Sequence, residues 1–144
     1  MNYIISMFLI LFLKFDSFQN YDKKLYGVWN LIISSNYNSL FIDEEPAVKL
    51  IYEVGKKVLE FNANGMMNEY ENNKSNSFEC KIERDNIIVT YDNGSTIEKN
   101  YYFIGDTLII ESYEGNKLQK NKYINEKLAF WKTKKKNLIE RKDT

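Results

Sequence analysis

Twenty basic and twenty acidic side chains, eleven tyrosines and one thiol are the whole ionisable inventory of this chain, because it contains no histidine. That absence removes Ser-His and Cys-His dyads, imidazole metal ligands and His acid–base work. Cys80 is the sole cysteine, so neither an internal disulfide nor a thiolate metal cluster can form. Paired carboxylates could in principle support glycoside chemistry. Glu69, Glu71, Glu79 and Glu83 are the nearest candidates, but the period-two pattern around them predicts outward, solvated faces and no opposed pair. Cys80 alternates with Phe78 and Ile82, which predicts a small buried hydrophobe rather than a reactive thiol. No catalytic group, metal or cofactor is therefore expected, and the protein reads as a non-enzyme.

The charges sum to zero, so no global field points to nucleic acid or to an anionic membrane. A basic run from Lys132 to Lys142, diluted by Glu140, reads as a solubilising tail over 134–144. At 144 residues the chain suits one domain with one core. Its aromatic content and single proline favour β structure over disorder.

The elements that would position these residues are mostly strands. Leu25–Ile33 is a long apolar, β-prone run, followed by a polar connection at Ser34–Asn38. Asp43-Glu44-Glu45-Pro46 resembles a helix start, and Ala47, Leu50, Ile51 and Val54 follow at helical spacing before Gly55. That spacing favours a short helix or lid over 40–54; the alternation of Leu50, Tyr52 and Val54 makes a strand the alternative. From Lys57 onward the period is two. Strands at Lys57–Phe61, Met66–Glu71, Phe78–Glu83, Ile87–Tyr91, Thr96–Phe103, Leu108–Glu111 and Leu118–Ile124 are separated by turn residues about every ten positions. Leu128–Lys132 is a last β-like run, and Asn93-Gly94 predicts a type I′ hairpin turn. Such a string is an antiparallel meander of eight to ten strands, and closure into an up-and-down barrel removes its edges.

Residues 1–20 stand outside this pattern. Tyr3–Leu13 is apolar apart from Ser6, too short to span a membrane and of the length of a signal-peptide core. No basic residue precedes it and no small-x-small cleavage site follows; a buried N-terminal helix or strand is the alternative. No cysteine near residue 20 could carry a lipid anchor. The expectation is a periplasmic or secreted protein without an integral span, and the Asn-, Ile- and Lys-rich composition suggests an AT-rich bacterial genome.

Three segments resemble the small bacterial lipocalin-like domains of the lipocalin/calycin superfamily. Gly27-Val28-Trp29 stands as the G-x-W of a first barrel strand. Phe61-Asn62-Ala63-Asn64-Gly65 is similar to their F-x-x-x-G turn, and Tyr101–Leu108 to their Y-x-I-x-G-D-x-L hairpin. The resemblance covers residues 25–133, with no disulfide and no long C-terminal helix. It implies an eight-stranded barrel with one open end, sometimes holding a small apolar ligand, and a basic residue over the Trp29 ring, here Lys132. A monomer binding a small hydrophobic molecule without catalysis is the implied function. Trp29, Phe61, Met66, Tyr70, Phe78, Ile82, Tyr101, Phe103, Leu108 and Ile110 would line the interior. An eight-stranded interior is just wide enough to be filled or to hold one small ligand, so Trp29 is expected to plug the closed end. A filled barrel acting through its loops, as envelope inhibitors do, is the alternative function.

Overall fold

Alternating apolar and polar residues between tight turns produce nine strands in the computed structural model, which describes residues 23–38, 45–127 and 130. They are β1 Gly27–Tyr37, β2 Val48–Ile51, β3 Lys57–Phe61, β4 Met66–Glu71, β5 Lys74–Glu83, β6 Asn86–Thr90, β7 Thr96–Ile104, β8 Thr107–Glu114 and β9 Lys117–Asn125. From β3 to β9 each strand pairs antiparallel with the next. β1 then joins β3 on one side and β9 on the other, closing an eight-stranded barrel. Closure satisfies the row of N–H and C=O groups that an open meander would leave at each edge. β2 is the ninth strand and lies outside the ring, paired only with β1.

β1 carries more pairing than any other strand. Its first part, Gly27–Asn30, pairs with β3, and Ile33–Asn36 pairs with β2 on the same edge. Its other edge runs along β9 from Trp29 to Tyr37. Between Leu31 and Ile33 the register slips by one residue, and the carbonyl of the extra residue, Ile32, accepts the Tyr52 N–H at 2.9 Å. A bulge of this kind exchanges the faces of the strand. Before it Trp29 and Leu31 point inward; after it Ser34 does, opposite Asn121. Ser34–Tyr37, expected as a connection, is therefore strand, because partners on both edges take up its backbone groups.

The expected helix before Gly55 is also absent among the described residues, and the strand alternative holds at Val48–Ile51. A helix there would need an apolar stripe to bury, yet Leu50 is 47% and Ile51 80% exposed. Pairing with the upper edge of β1 satisfies the backbone instead. Gly55, at φ +87°, donates its N–H to Asn30 Oδ1 at 3.0 Å and turns the chain back into the barrel.

The Asn93-Gly94 turn differs in type from the expectation. Only Gly94 has positive φ, and the Gly94 N–H bonds Tyr91 O while the Tyr91 N–H bonds Ser95 O. That is a type I turn closed by a glycine bulge. Positive φ at two successive residues, the type I′ requirement, occurs instead at Asn72 and Asn73, shortening the expected 72–76 loop to two residues.

Inward side chains meet in one core of Leu25, Trp29, Leu31, Phe61, Met67, Ile87, Val89, Tyr101, Leu108, Ile110 and Tyr123, with Leu59, Phe78, Cys80, Ile82 and Phe103 packed against it. No helix among the described residues is long and apolar enough to cross a membrane. The signal-peptide reading of 1–20, the Lys132 packing and the basic tail all lie outside the described residues, as does most of Leu128–Lys132.

Candidate functional site at the open end of the barrel

The interior has two halves of opposite character. At one end Trp29 is 3% exposed, its Nε1–H donates to the Leu25 carbonyl at 2.8 Å, and its ring lies 5.8 Å from that of Phe103. Phe103 also meets Tyr101 edge-on at 6.1 Å and carries the Lys24 ammonium 4.4 Å above its ring. The cation–π contact expected over Trp29 from Lys132 thus has a counterpart one ring away, supplied by a residue before the first strand. This half is packed, and Trp29 is part of the packing.

The other half is open. A cavity of about 460 Å³ is lined from β1, β3, β4, β5, β7 and β9, and Leu31, Leu59 and Tyr123 belong both to its lining and to the core below. Above that floor the lining is polar: Lys57, Glu69, Glu71, Lys74, Asn76, Lys99, Gln119 and Asn121. Glu69 and Glu71, expected on an outward face, line the cavity instead. Met67, opposite Phe78, is the inward methionine, so Glu69 and Glu71 two and four residues on share its face.

Of the ten residues expected to line a binding interior, Trp29, Phe61, Tyr101, Leu108 and Ile110 are buried core, and Phe78, Ile82 and Phe103 are half-buried against it. None of these eight borders that cavity, although Phe61 and Ile82, with Met66, line a smaller pocket of about 160 Å³ beside Leu25. Met66 and Tyr70 lie on the other face of β4. Tyr70 is 40% exposed, borders the cavity rim, and donates its hydroxyl to Glu60 Oε2 at 2.9 Å, which also receives Asn68 Nδ2 at 3.0 Å. Met66 and Met67 both suit an interior; only the pairing with β5 shows which one faces in.

Within the cavity the charges are partly matched. Lys57 Nζ sits 2.9 Å from Glu71 Oε1 and 5.1 Å from the centre of the Tyr52 ring. The Glu71 hydrogen bond holds the Lys57 ammonium above its usual pKa against the opposing effect of burial. At the floor, Asn121 Oδ1 is buried without a hydrogen-bond partner. An unmet acceptor of this kind costs about 1–3 kcal/mol. Gln119 is drawn toward the wall by Ser34, whose Oγ accepts its Nε2–H at 3.4 Å.

Burial lifts the Tyr123 phenol far above its ordinary value; a hydrogen bond donated by the Asn121 amide N–H, which leaves Oδ1 unmet, opposes this, and the charges of Glu69 and Tyr52 add to it. An unfolded tyrosine ionises near 10.0, so the folded state keeps a proton that the unfolded chain gives up. The stabilisation is complete below about pH 10 and is lost as pH rises from there toward the folded value. Tyr123→Phe is expected to flatten the alkaline limb of stability between about pH 9.5 and 11.5. It should not abolish the slope, because Tyr70, Tyr102 and Tyr113 are also shifted upward. Urea midpoints across that range are the check, and an unchanged limb would contradict the assignment.

A second polar cluster lies on the outer wall. Glu111 accepts the hydroxyls of Tyr102 and Tyr113 at 2.9 and 3.2 Å and pairs with Lys120 at 3.1 Å. Its partners satisfy it, so it reads as wall structure. Among the described residues no group of three or more Cys, Asp or Glu is placed to hold a metal ion. No protein-family model, curated protein or solved structure matches the chain.

Proposed function

We propose that the protein is a non-catalytic, lipocalin-like binding barrel that holds a small molecule at its open end. The observation that carries this reading is the division of the interior: a packed aromatic floor beneath an open cavity of about 460 Å³. Cavities of that order suit small ligands. The hydrophobic molecule implied by the family resemblance is less well served, because the apolar half is filled and charged and amide side chains surround the open half. A ligand with polar groups fits better. Export from a bacterial cell, to the periplasm or the medium, is part of the same reading and rests on Tyr3–Leu13.

One observation favours the alternative, a barrel acting on a protein partner. β2 and the turn after it expose Val48, Leu50, Ile51 and Val54 beside the mouth, an apolar group that a partner would cover.

A native mass spectrum of freshly purified full-length product, expressed with its own N-terminus, tests the main reading. The expected spectrum shows a chain shortened by its leader and a population carrying a co-purifying small molecule. An intact Met1 on exported protein would defeat the leader. A ligand-free spectrum, together with no binding from a broad small-molecule screen, would leave the partner-binding alternative.

A further inference from the structure

The polar groups of the cavity do not cancel, and what remains describes a ligand. Lys57 and Glu71 neutralise each other at 2.9 Å, and the Tyr52 ring already faces that ammonium. The other lining charges are one carboxylate, Glu69, and two lysines, Lys74 and Lys99. Deeper in, Asn121 offers a carbonyl oxygen that no donor meets. The Asn121 side chain lines the cavity, and an entering donor is met when the amide turns about its terminal torsion, the ligand's donors replacing the contact to Tyr123.

We propose that the mouth of the barrel binds a small amino acid, preferentially an acidic one, with its ammonium between Glu69 and Asn121 and its carboxylates toward Lys74 and Lys99. This rests on the reading that the open end holds a small molecule, and it names the chemistry of that molecule. An ammonium brings several donors and a positive charge, which suits a carboxylate and an unpaired amide oxygen at once. The opposite end of the ligand needs more negative than positive charge, since two lysines face one free carboxylate. A fatty acid would match the lysines but leave Glu69 and Asn121 unanswered, and a diamine would answer those two but meet the lysines with like charge. The aromatic core below sets the depth limit: nothing longer than the polar half can be drawn in.

Isothermal titration of the full chain separates these cases. The probes are glutamate and aspartate, the matching keto acids, putrescine, glucose and laurate. Glutamate or aspartate is expected to bind tightest, and removal of the amine in the keto acids should weaken binding by about tenfold or more. Glu69→Gln and Lys99→Met, each checked for an unchanged melting profile, should each weaken it by a similar factor. A keto acid binding as tightly as its amino acid, or a Glu69→Gln variant binding normally, overturns the proposal. Laurate or glucose binding in place of the amino acids also overturns it while leaving the binding-barrel reading standing. If no probe binds and no molecule co-purifies, both fall together.

Discussion

Replacing Trp29 with alanine is expected to lower folding stability by about 4 kcal/mol, a large share of the 5–15 kcal/mol typical of a domain. The ring is 3% exposed, and it is wedged against Phe103 at the closed end. Its removal leaves a void that the closed strand ladder cannot collapse to fill, since every barrel strand is hydrogen-bonded on both sides. The indole N–H is a second contribution, because Leu25 O, on a residue only 1% exposed, accepts it. Trp29→Phe keeps much of the packing and loses that bond, so a smaller drop of about 1–2 kcal/mol is expected. Urea unfolding followed by far-ultraviolet circular dichroism measures both. A Trp29→Ala variant within 1 kcal/mol of the parent would mean that the closed end is not built on this ring.

Leu108→Asp is expected to be as damaging as any single change in the chain, at about 4 kcal/mol or more near neutral pH. Leu108 has no exposed surface, and its register partners are Phe103 and Tyr123. A carboxylate there would be packed among aromatic rings with little water. Three residues along the same strand Glu111 is well tolerated, since the odd number of steps turns it outward to Tyr102, Tyr113 and Lys120. The sign of the pH dependence is a further check. Burial raises the pKa of the introduced carboxyl in the folded state, so its harm is least below the unfolded value of about 4 and grows as pH rises through the folded one. A midpoint deficit equal at pH 4 and pH 8 would argue that the site is wet.

The two substitutions bear on the same geometric fact. In a strand of period two, a shift of one residue exchanges core for surface. Turn residues and alternation made the strands from Lys57 to Ile124 legible, because each depends on neighbours close in sequence. Phe78, Cys80 and Ile82 on the inner face of β5 followed from that pattern alone. Met66–Glu71 did not. Met66-Met67 offers an apolar residue to either face, and Glu69 and Tyr70 are both acceptable at a wet barrel mouth. The pairing of Met67 with Phe78 decides the matter, and that is a contact between strands. Glu69 and Glu71 turned from assumed surface into cavity lining for this reason.

Local composition was also a poor guide where one strand serves several partners. Ser34–Tyr37 has the residues of a loop, and Val48–Ile51 lies inside a helical spacing. Both are strands because the upper part of β1 is held by β9 on one edge and β2 on the other. The Ile32 bulge then turns Ser34 inward and helps make the upper barrel polar.

By itself the sequence determined that the chain is an antiparallel β meander with an aromatic interior and no histidine-, disulfide- or thiolate-cluster chemistry. Those properties come from residue inventory and from a period that each strand displays alone. The tertiary structure decided that the ring closes through β1 and β9, that the aromatic residues fill only one half, and that charges line the other. Each of these depends on which strands meet and in what register, and so on free energies shared between segments nearly a hundred residues apart, as Trp29 and Asn125 are.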